Sequence, residues 1–356
     1  MISLCGRKIS GIRYGSTSVK EVRVGNRLAW SPEANFVAVG SGGHVKFSPD
    51  GIAWYSGSAG SSDLNSVCYG NGRFVAVGKN GAYATSADGK TWTVGSKGSM
   101  VWNRICYGNG TFVAVGCTED SEEILSGGMG VVMYSTDGFS WTVKNTSTGG
   151  NFRTWHDVCF GGGKFVAVGM RHVAQTSRAD MYARVAYSTN LTTWMEKDVS
   201  MKDVQLENLH EFDCIAHDGT KFVAICGGHD VDYSVDLRVV ASSTDGITWT
   251  KLAVTKSYDI EKRMCFGNLS NGIYLGVFGD NNYSTSEDAV IWNRNNVANV
   301  PVPRTSCVDG ICFGGSKIIA VGSIFAVSTG EQISLRYVCD ARGVVFKDVC
   351  FKEVEA

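Results

Sequence analysis

The sequence predicts an all-β fold, a seven-bladed β-propeller with four antiparallel strands in each blade. Three observations predict it. A seven-residue segment recurs: SPDGIAW at 48–54, SADGKTW at 86–92, STDGFSW at 135–141 and STDGITW at 243–249, with weaker copies STNLTTW at 188–194, SEDAVIW at 286–292 and STGEQIS at 328–334. A second segment precedes each copy: FVAVG at 36–40, 74–78, 112–116 and 165–169, FVAIC at 222–226, YLGVF at 274–278 and IIAVG at 318–322. Short strand-like segments recurring every 40–50 residues or so mark a propeller, one blade per repeat. The composition agrees, because 44 glycines suit many tight turns and only 4 prolines leave strands free to pair.

The chain has 356 residues, 44% of them hydrophobic, enough for a large core. That length alone suggests two domains, but the repeat makes one unit of residues 31–356 and leaves 1–30 as a separate opening module. With 33 basic and 34 acidic residues the formal charge is −1, so no electrostatic footprint for nucleic acid exists. No apolar run is long enough to span a membrane. The start, MISLCGRKISG, lacks the apolar core of a secretory signal.

Residues 1–30 stand outside the repeat. ISGIRYGSTSVKEVRVGNRLAW reads as two short strands around a Gly-Ser-Thr turn, then Gly25-Asn26 and a third strand ending at Trp30. This stretch of about 20 residues resembles the small β module that heads many phage tail and tail-fibre proteins, where a strand, GSTxV, strand, GNxLxW pattern recurs. The resemblance implies attachment to other virion proteins through residues 1–30.

Each repeat then supplies strands A to D. In the second copy strand A covers about Ser66–Tyr69, and Asn71-Gly72 makes a tight turn. Strand B, Phe74–Val77, is apolar on both faces, which fits burial between neighbouring blades. Strand C covers about Ala82–Thr85. Ser86-Ala87-Asp88-Gly89 turns the chain, with the Asp side chain accepting backbone N–H bonds and Gly tolerating positive φ. Trp92 opens strand D and packs over the turn, stapling C to D.

The Ser-x-Asp-Gly-x-x-Trp turn resembles the Asp-box, or BNR, repeat of sialidase-like propellers, in a variant one residue shorter between Asp and Trp than the family's common form. The resemblance covers most of residues 31–340. Its structural pairs here are Asp50 with Trp54, Asp88 with Trp92, Asp137 with Trp141, Asp245 with Trp249 and Asp288 with Trp292. The Asp is replaced by Asn190 and Gly330, and the last Trp by Ser334. In that family the turn lies at the blade periphery, away from the active face, so it implies a fold rather than a chemistry.

Cysteines recur with the blades. Of the 12, Cys68, Cys106, Cys159, Cys214, Cys265 and Cys312 occupy one repeat position and read as small reduced thiols packed between blades. A zinc site lacks the CxxC pair that would support it. Reduced thiols fit assembly in a cytosol. KDVCF at 347–351 matches HDVCF at 156–160, so the C-terminal strand is the expected strand A of blade 1, closing the ring and removing a sheet edge. Arg27–Trp30 is the rival for that place.

Function is expected where the repeat breaks. The B–C connections run from 40 to 48 and from 78 to 86 in blades 1 and 2, but from 116 to 135, 169 to 188 and 226 to 243 in blades 3, 4 and 5. These loops share one face of the disc, opposite the Asp-Gly turns, with D–A loops such as 198–211 and 294–306 beside them. The candidate ligand-binding residues are Glu119 and Asp120 (with Glu122 and Glu123), Arg171, His172, Arg178 and Asp180, then His229, Asp230, Asp232 and Tyr233 (with Asp236). Acidic groups and tyrosines suit sugar hydroxyls or an oxygen-coordinated cation, and His229 to Asp232 has calcium-ligand chemistry without a complete ligand set.

A sialidase-like glycoside hydrolase would need an arginine cluster, an activated tyrosine and an acid. The Arg-Ile-Pro of that family is absent. Arg171, Arg178, Arg184 and Arg238 crowd adjacent blades, yet their spacing selects no three of them. The expectation is therefore a non-enzymatic virion component, a tail or fibre part assembled in a host cytoplasm without a cofactor. Its looped face would recognise a host-surface glycan or protein. A structural adaptor within an oligomeric assembly is the second reading and glycoside hydrolysis the third.

Overall fold

The computed structural model describes residues 33–118, 128–146, 152–172, 181–199, 208–229, 236–256, 263–267, 272–278, 282–297, 308–314, 317–329, 335–340 and 344–352, together with six short strands before residue 31. The fold is all-β, with seven four-stranded antiparallel sheets. A single 3-10 turn, Ser41–Gly43, is the only helical element among the described residues. No helix of the described residues is long and apolar enough to cross a membrane.

Blade 2 shows the unit. Strand A, Leu64–Gly70, pairs with B, Arg73–Gly78, which pairs with C, Ala82–Ser86, which pairs with D, Thr93–Ser96. Asn71 and Gly72 have φ of 43° and 74°, the left-handed pair of a two-residue hairpin. The register explains why FVAV is apolar on both faces. Val75 and Val77 pack in one layer with Ile105 and Phe112 of blade 3, while Phe74 and Ala76 pack in another with Val37 and Val39 of blade 1. Side chains alternate across a strand, so a strand sandwiched between two neighbours buries both sets. Seven such apolar layers, one between each pair of adjacent blades, make up the core.

The ring closes as the C-terminal match predicts. Phe346–Phe351 is hydrogen-bonded to Phe36–Gly40, with His44–Ser48 and Tyr55–Ser58 completing blade 1. Arg27–Trp30 pairs instead with Val22–Val24 in a two-stranded sheet of its own. Two further hairpins precede it, Ser3–Leu4 with Arg7–Lys8 and Ile12–Tyr14 with Thr17–Val19. The opening segment thus holds three hairpins rather than three strands, and none of its described strands pairs with a strand of a blade.

The Ser-x-Asp-Gly turn works as its side chains suggest, with one addition. In blade 1 Ile52 and Ala53 N–H donate to Asp50 Oδ1 at 2.8 Å, and Gly51 N–H donates to Ser48 Oγ at 2.8 Å. The tryptophan then reaches beyond its own turn. Trp54 Nε1 donates to Gly51 O, but its ring packs against Phe325 of blade 7, 4.6 Å between centroids. Trp141 likewise meets Tyr83 of blade 2, and Trp249 enters the layer between blades 4 and 5. The staple therefore joins each of blades 1 to 6 to the preceding one as well as C to D.

The cysteine pattern needs one correction. Cys68, Cys106, Cys159, Cys265, Cys312 and Cys350 share a register, each opposite the second residue of the FVAVG segment or its equivalent. Cys214 does not share it: it pairs with Ile225, and Ala216 takes the cysteine position opposite Val223. The FVAV run sets the register, and Cys214 lies two residues farther from Phe222 than Cys68 lies from Phe74. All nine described cysteines are free, and burial pushes the six in-register thiols well up.

Candidate ligand-binding face

In an up-and-down blade the B–C and D–A connections emerge on one face and the A–B and C–D turns on the other. The second face is stitched between blades at three junctions. Asn71 Nδ2 donates to Thr136 O, Lys164 Nζ to Asp245 O and Lys317 Nζ to Asp50 O, each linking an A–B turn to the Ser-x-Asp-Gly turn of the next blade. Such a face is held by its own hydrogen bonds.

On the first face, the channel through the ring is bolted near its entrance. Two residues before the shared cysteine register, strand A carries Ser66, Arg104, Asp157, Cys214, Arg263, Gly310 and Asp348 around the ring. Arg104 lies 3.1 Å from Asp157 on blade 4 and 2.8 Å from Asp348 on blade 1. Asp348 Oδ2 also accepts from Ser66 Oγ and Val67 N–H, and Asp157 Oδ2 accepts from Ile215 N–H of blade 5. Arg263 of blade 6 donates to Asn65 O of blade 2, a bond that crosses the channel because those blades are not neighbours. Burial opposes the charge on Arg104, but Asp348 and Asp157 overcome it and hold the guanidinium above its ordinary value. Burial and the nearby Arg104 pull Arg263 below its own.

The face is raised on one side. The pairing of strands B and C ends at Val77 and Tyr83 in blade 2, but in blade 4 it continues to His172 and Met181, and in blade 5 to His229 and Asp236. An ion-pair lattice occupies the raised part of blade 4. Arg153 is the second residue of strand A, Arg171 the last but one of B, Arg184 lies on C, and Glu196 and Asp198 lie on D. Arg153 Nε lies 3.3 Å from Glu196 Oε2, and Arg184 bridges Glu196 and Asp198 at 2.9 Å each. Arg171 grips Asp198 through Nε at 3.2 Å and Nη2 at 2.6 Å, and stacks on Tyr182, 5.0 Å from the ring centroid. Arg153 and Arg171 are direct cross-strand partners, a like-charge pairing that would repel without the two carboxylates. Burial lowers the Arg153 pKa, and Arg184 and Arg171 lower it further against the pull of Glu196. In blade 5 Arg238 pairs with Asp213 at 2.8 Å, its guanidinium lying across Gly227, where a Cβ would stand 2.5 Å from Nη1.

Of the sequence candidates, Arg171 enters the lattice and His172 beside it is buried at 1% exposure. His229 ends strand B of blade 5. Glu119, Asp120, Arg178, Asp180, Asp230, Asp232 and Tyr233 lie outside the described residues, as do Glu122 and Glu123. Arg184 joins Arg171 on Asp198, whereas Arg238 belongs to a separate pair. Arg153, Tyr182, Glu196 and Asp198 were not singled out. Their signal is positional: strand ends of a single blade brought together by antiparallel pairing. No group of three or more potential metal ligands exists among the described residues.

No protein-family model and no curated protein matches the chain. Solved structures do. YCF48 from Cyanidioschyzon merolae is 13% identical, with 89% of this chain and 90% of that one covered at a TM-score of 0.51. YCF48 bound to a D1 peptide is 12% identical over 77% and 81%, TM-score 0.47, and apo AztD from Citrobacter koseri is 10% identical over 91% and 90%, TM-score 0.48. At such identities the likeness concerns the fold alone.

Proposed function

We propose that the protein is a recognition propeller of a phage tail or fibre, binding a host-surface glycan or protein through its raised face without turning it over. The observation that carries this reading is the asymmetry of the ring. One face carries only short turns, and on the other the B–C hairpins of the adjacent blades 4 and 5 extend past the length shared by the rest, next to the long B–C connection of blade 3. Connections that depart from a regular repeat are where such folds carry binding residues. The buried ion pairs of blade 4 hold the base of that hairpin rigid, and pre-organisation lowers the entropic cost of binding.

The phage context is supported by the GSTxV and GNxLxW patterns of residues 1–30, whose described strands pair with one another in separate hairpins. That arrangement suits an attachment element on a closed ring. The Ser-x-Asp-Gly turns support kinship with Asp-box propellers, and they sit on the stitched face, remote from the proposed binding surface. The reading is tested by purifying particles from producing cells and locating the propeller by cryo-electron microscopy. The expected result places residues 1–30 against the particle and the raised face outward. A raised face buried against another subunit would show a structural adaptor instead.

A further inference from the structure

Tyr182 is exposed at 41%, although it stands on a strand whose neighbouring Ala183, Val185 and Ala186 are fully buried. Its side of the sheet is set by register. Ala186 shares that side and packs in the layer between blades 3 and 4, so Tyr182 and Arg184 lie along the cleft between those blades. One ring face is occupied by the Arg171 guanidinium, 5.0 Å from the centroid. The same guanidinium is clamped to Asp198 through two nitrogens. A single planar group thus fixes an exposed aromatic ring and a carboxylate relative to one another.

Asp198 retains capacity. Of the roughly four lone-pair positions of a carboxylate, three are used, by Arg171 Nε and Arg184 Nη1 on Oδ1 and by Arg171 Nη2 on Oδ2. The side chain is 39% exposed, so its remaining acceptor position is open to an incoming donor. At the surface Arg171 and Arg184 are held by Asp198 and Glu196, and Arg153, the third arginine of the lattice, is buried beside Glu196 at 7% exposure. What the site offers is a rigid, flat apolar ring beside an oxygen that seeks a hydroxyl.

We infer that Tyr182, Arg171 and Asp198 form a subsite for a neutral hexopyranose, with one C–H face of the sugar lying on the Tyr182 ring and a hydroxyl at its edge donating to Asp198. A pyranose has both requirements in one small body, an apolar axial C–H face and equatorial hydroxyl donors at the rim. This deepens the recognition reading given above and rests on it for biological meaning, though the binding event is measurable alone.

The test is saturation-transfer difference NMR on the full chain with methyl α-glucoside, methyl α-galactoside and methyl α-mannoside as probes. The expected result is saturation of at least one glycoside, strongest on the protons of one ring face. Tyr182→Ala abolishes it and Tyr182→Phe retains it, while Asp198→Asn weakens it about tenfold, the loss of one charge-assisted hydrogen bond. Thermal unfolding of each variant separates a lost site from a lost fold, and Tyr182→Phe, which keeps the ring, controls for the aromatic contact. No saturation of any of the three, or saturation unchanged in folded Tyr182→Ala, overturns the subsite. Labelled protein that still coats bacterial cells when the glycosides fail would leave recognition standing and remove only the sugar site. Glycoside binding without any cell binding would do the reverse.

Discussion

Arg104 on the inner strand of blade 3 lies 2.8 Å from Asp348 on the strand that returns from the C-terminus to close blade 1. The two side chains are 13% and 5% exposed, and blade 2 stands between their blades. Ring closure is thus fastened twice, by the strand pairing of Phe346–Phe351 with Phe36–Gly40 and by a buried charge pair across the channel entrance. Removing Asp348 leaves Arg104 to Asp157 alone and deprives Ser66 Oγ and Val67 N–H of their buried acceptor. Asp348→Ala is expected to cost about 3–5 kcal/mol, measured by urea unfolding. Asp348→Asn, which keeps acceptors for Ser66 and Val67, should cost less. A loss below about 1 kcal/mol for Asp348→Ala, the range of a surface pair, would show that Arg104 and Asp348 do not bear on closure.

The Ser-x-Asp-Gly turns differ in how they meet a side chain at the glycine position. Gly246 has φ of 71°, and a Cβ there would come 2.6 Å from Val166 of the preceding blade. In blade 6 the equivalent residue is Ala289, with φ of 64° and no exposure, so that blade accommodates a methyl group. Gly246→Ala should therefore lose about 2–4 kcal/mol, combining left-handed backbone strain with overpacking. Thermal or urea unfolding measures it. A neutral result would mean that Val166 yields as the neighbour of Ala289 does.

The same turn gives a signed dependence on pH. Burial raises the Asp245 carboxyl, but the backbone N–H groups of Thr248 and Ile247 outweigh it and bring the pKa down to about 2. The folded value lies below the unfolded one, near 3.9, so the turn's contribution is complete above about pH 4 and is lost as pH falls towards 2. Asp245→Asn keeps the acceptor oxygen and removes the titration. Its stability should fall less steeply than wild type between pH 4 and 2, read by urea midpoints across that range. Parallel curves would contradict the assignment.

Much of the fold was legible because the propeller repeats its constraints. FVAV announces a strand buried on both faces, and the structure buries Phe74, Val75, Ala76 and Val77 completely. KDVCF announces the closing strand, and Cys350 takes the register of Cys159. Reading Cys214 by its neighbours rather than by its distance from Phe222 misplaced it by two residues, a shift that keeps the same face of the strand. The axial charges were readable in principle, since Arg104, Asp157, Arg263 and Asp348 all stand two residues before a shared cysteine position. The candidate subsite was not. Arg153, Arg171, Tyr182, Arg184, Glu196 and Asp198 come from four strands, and only pairing places them together. Composition of the inserted loops drew attention to the loop tips rather than to the hairpin base, where the blade 4 lattice lies.

Recognition of a cell surface by the raised face is tested by a binding experiment. Fluorescently labelled protein is titrated onto bacterial cells that differ in surface polysaccharide, beside variants in which residues 118–130, 171–184 and 228–238 are each replaced by the short Lys79-Asn80-Gly81 connection of blade 2. Saturable binding to some strains, lost in one or more of the folded variants, is the predicted result. Binding that persists unchanged in all three variants would place recognition elsewhere and contradict it.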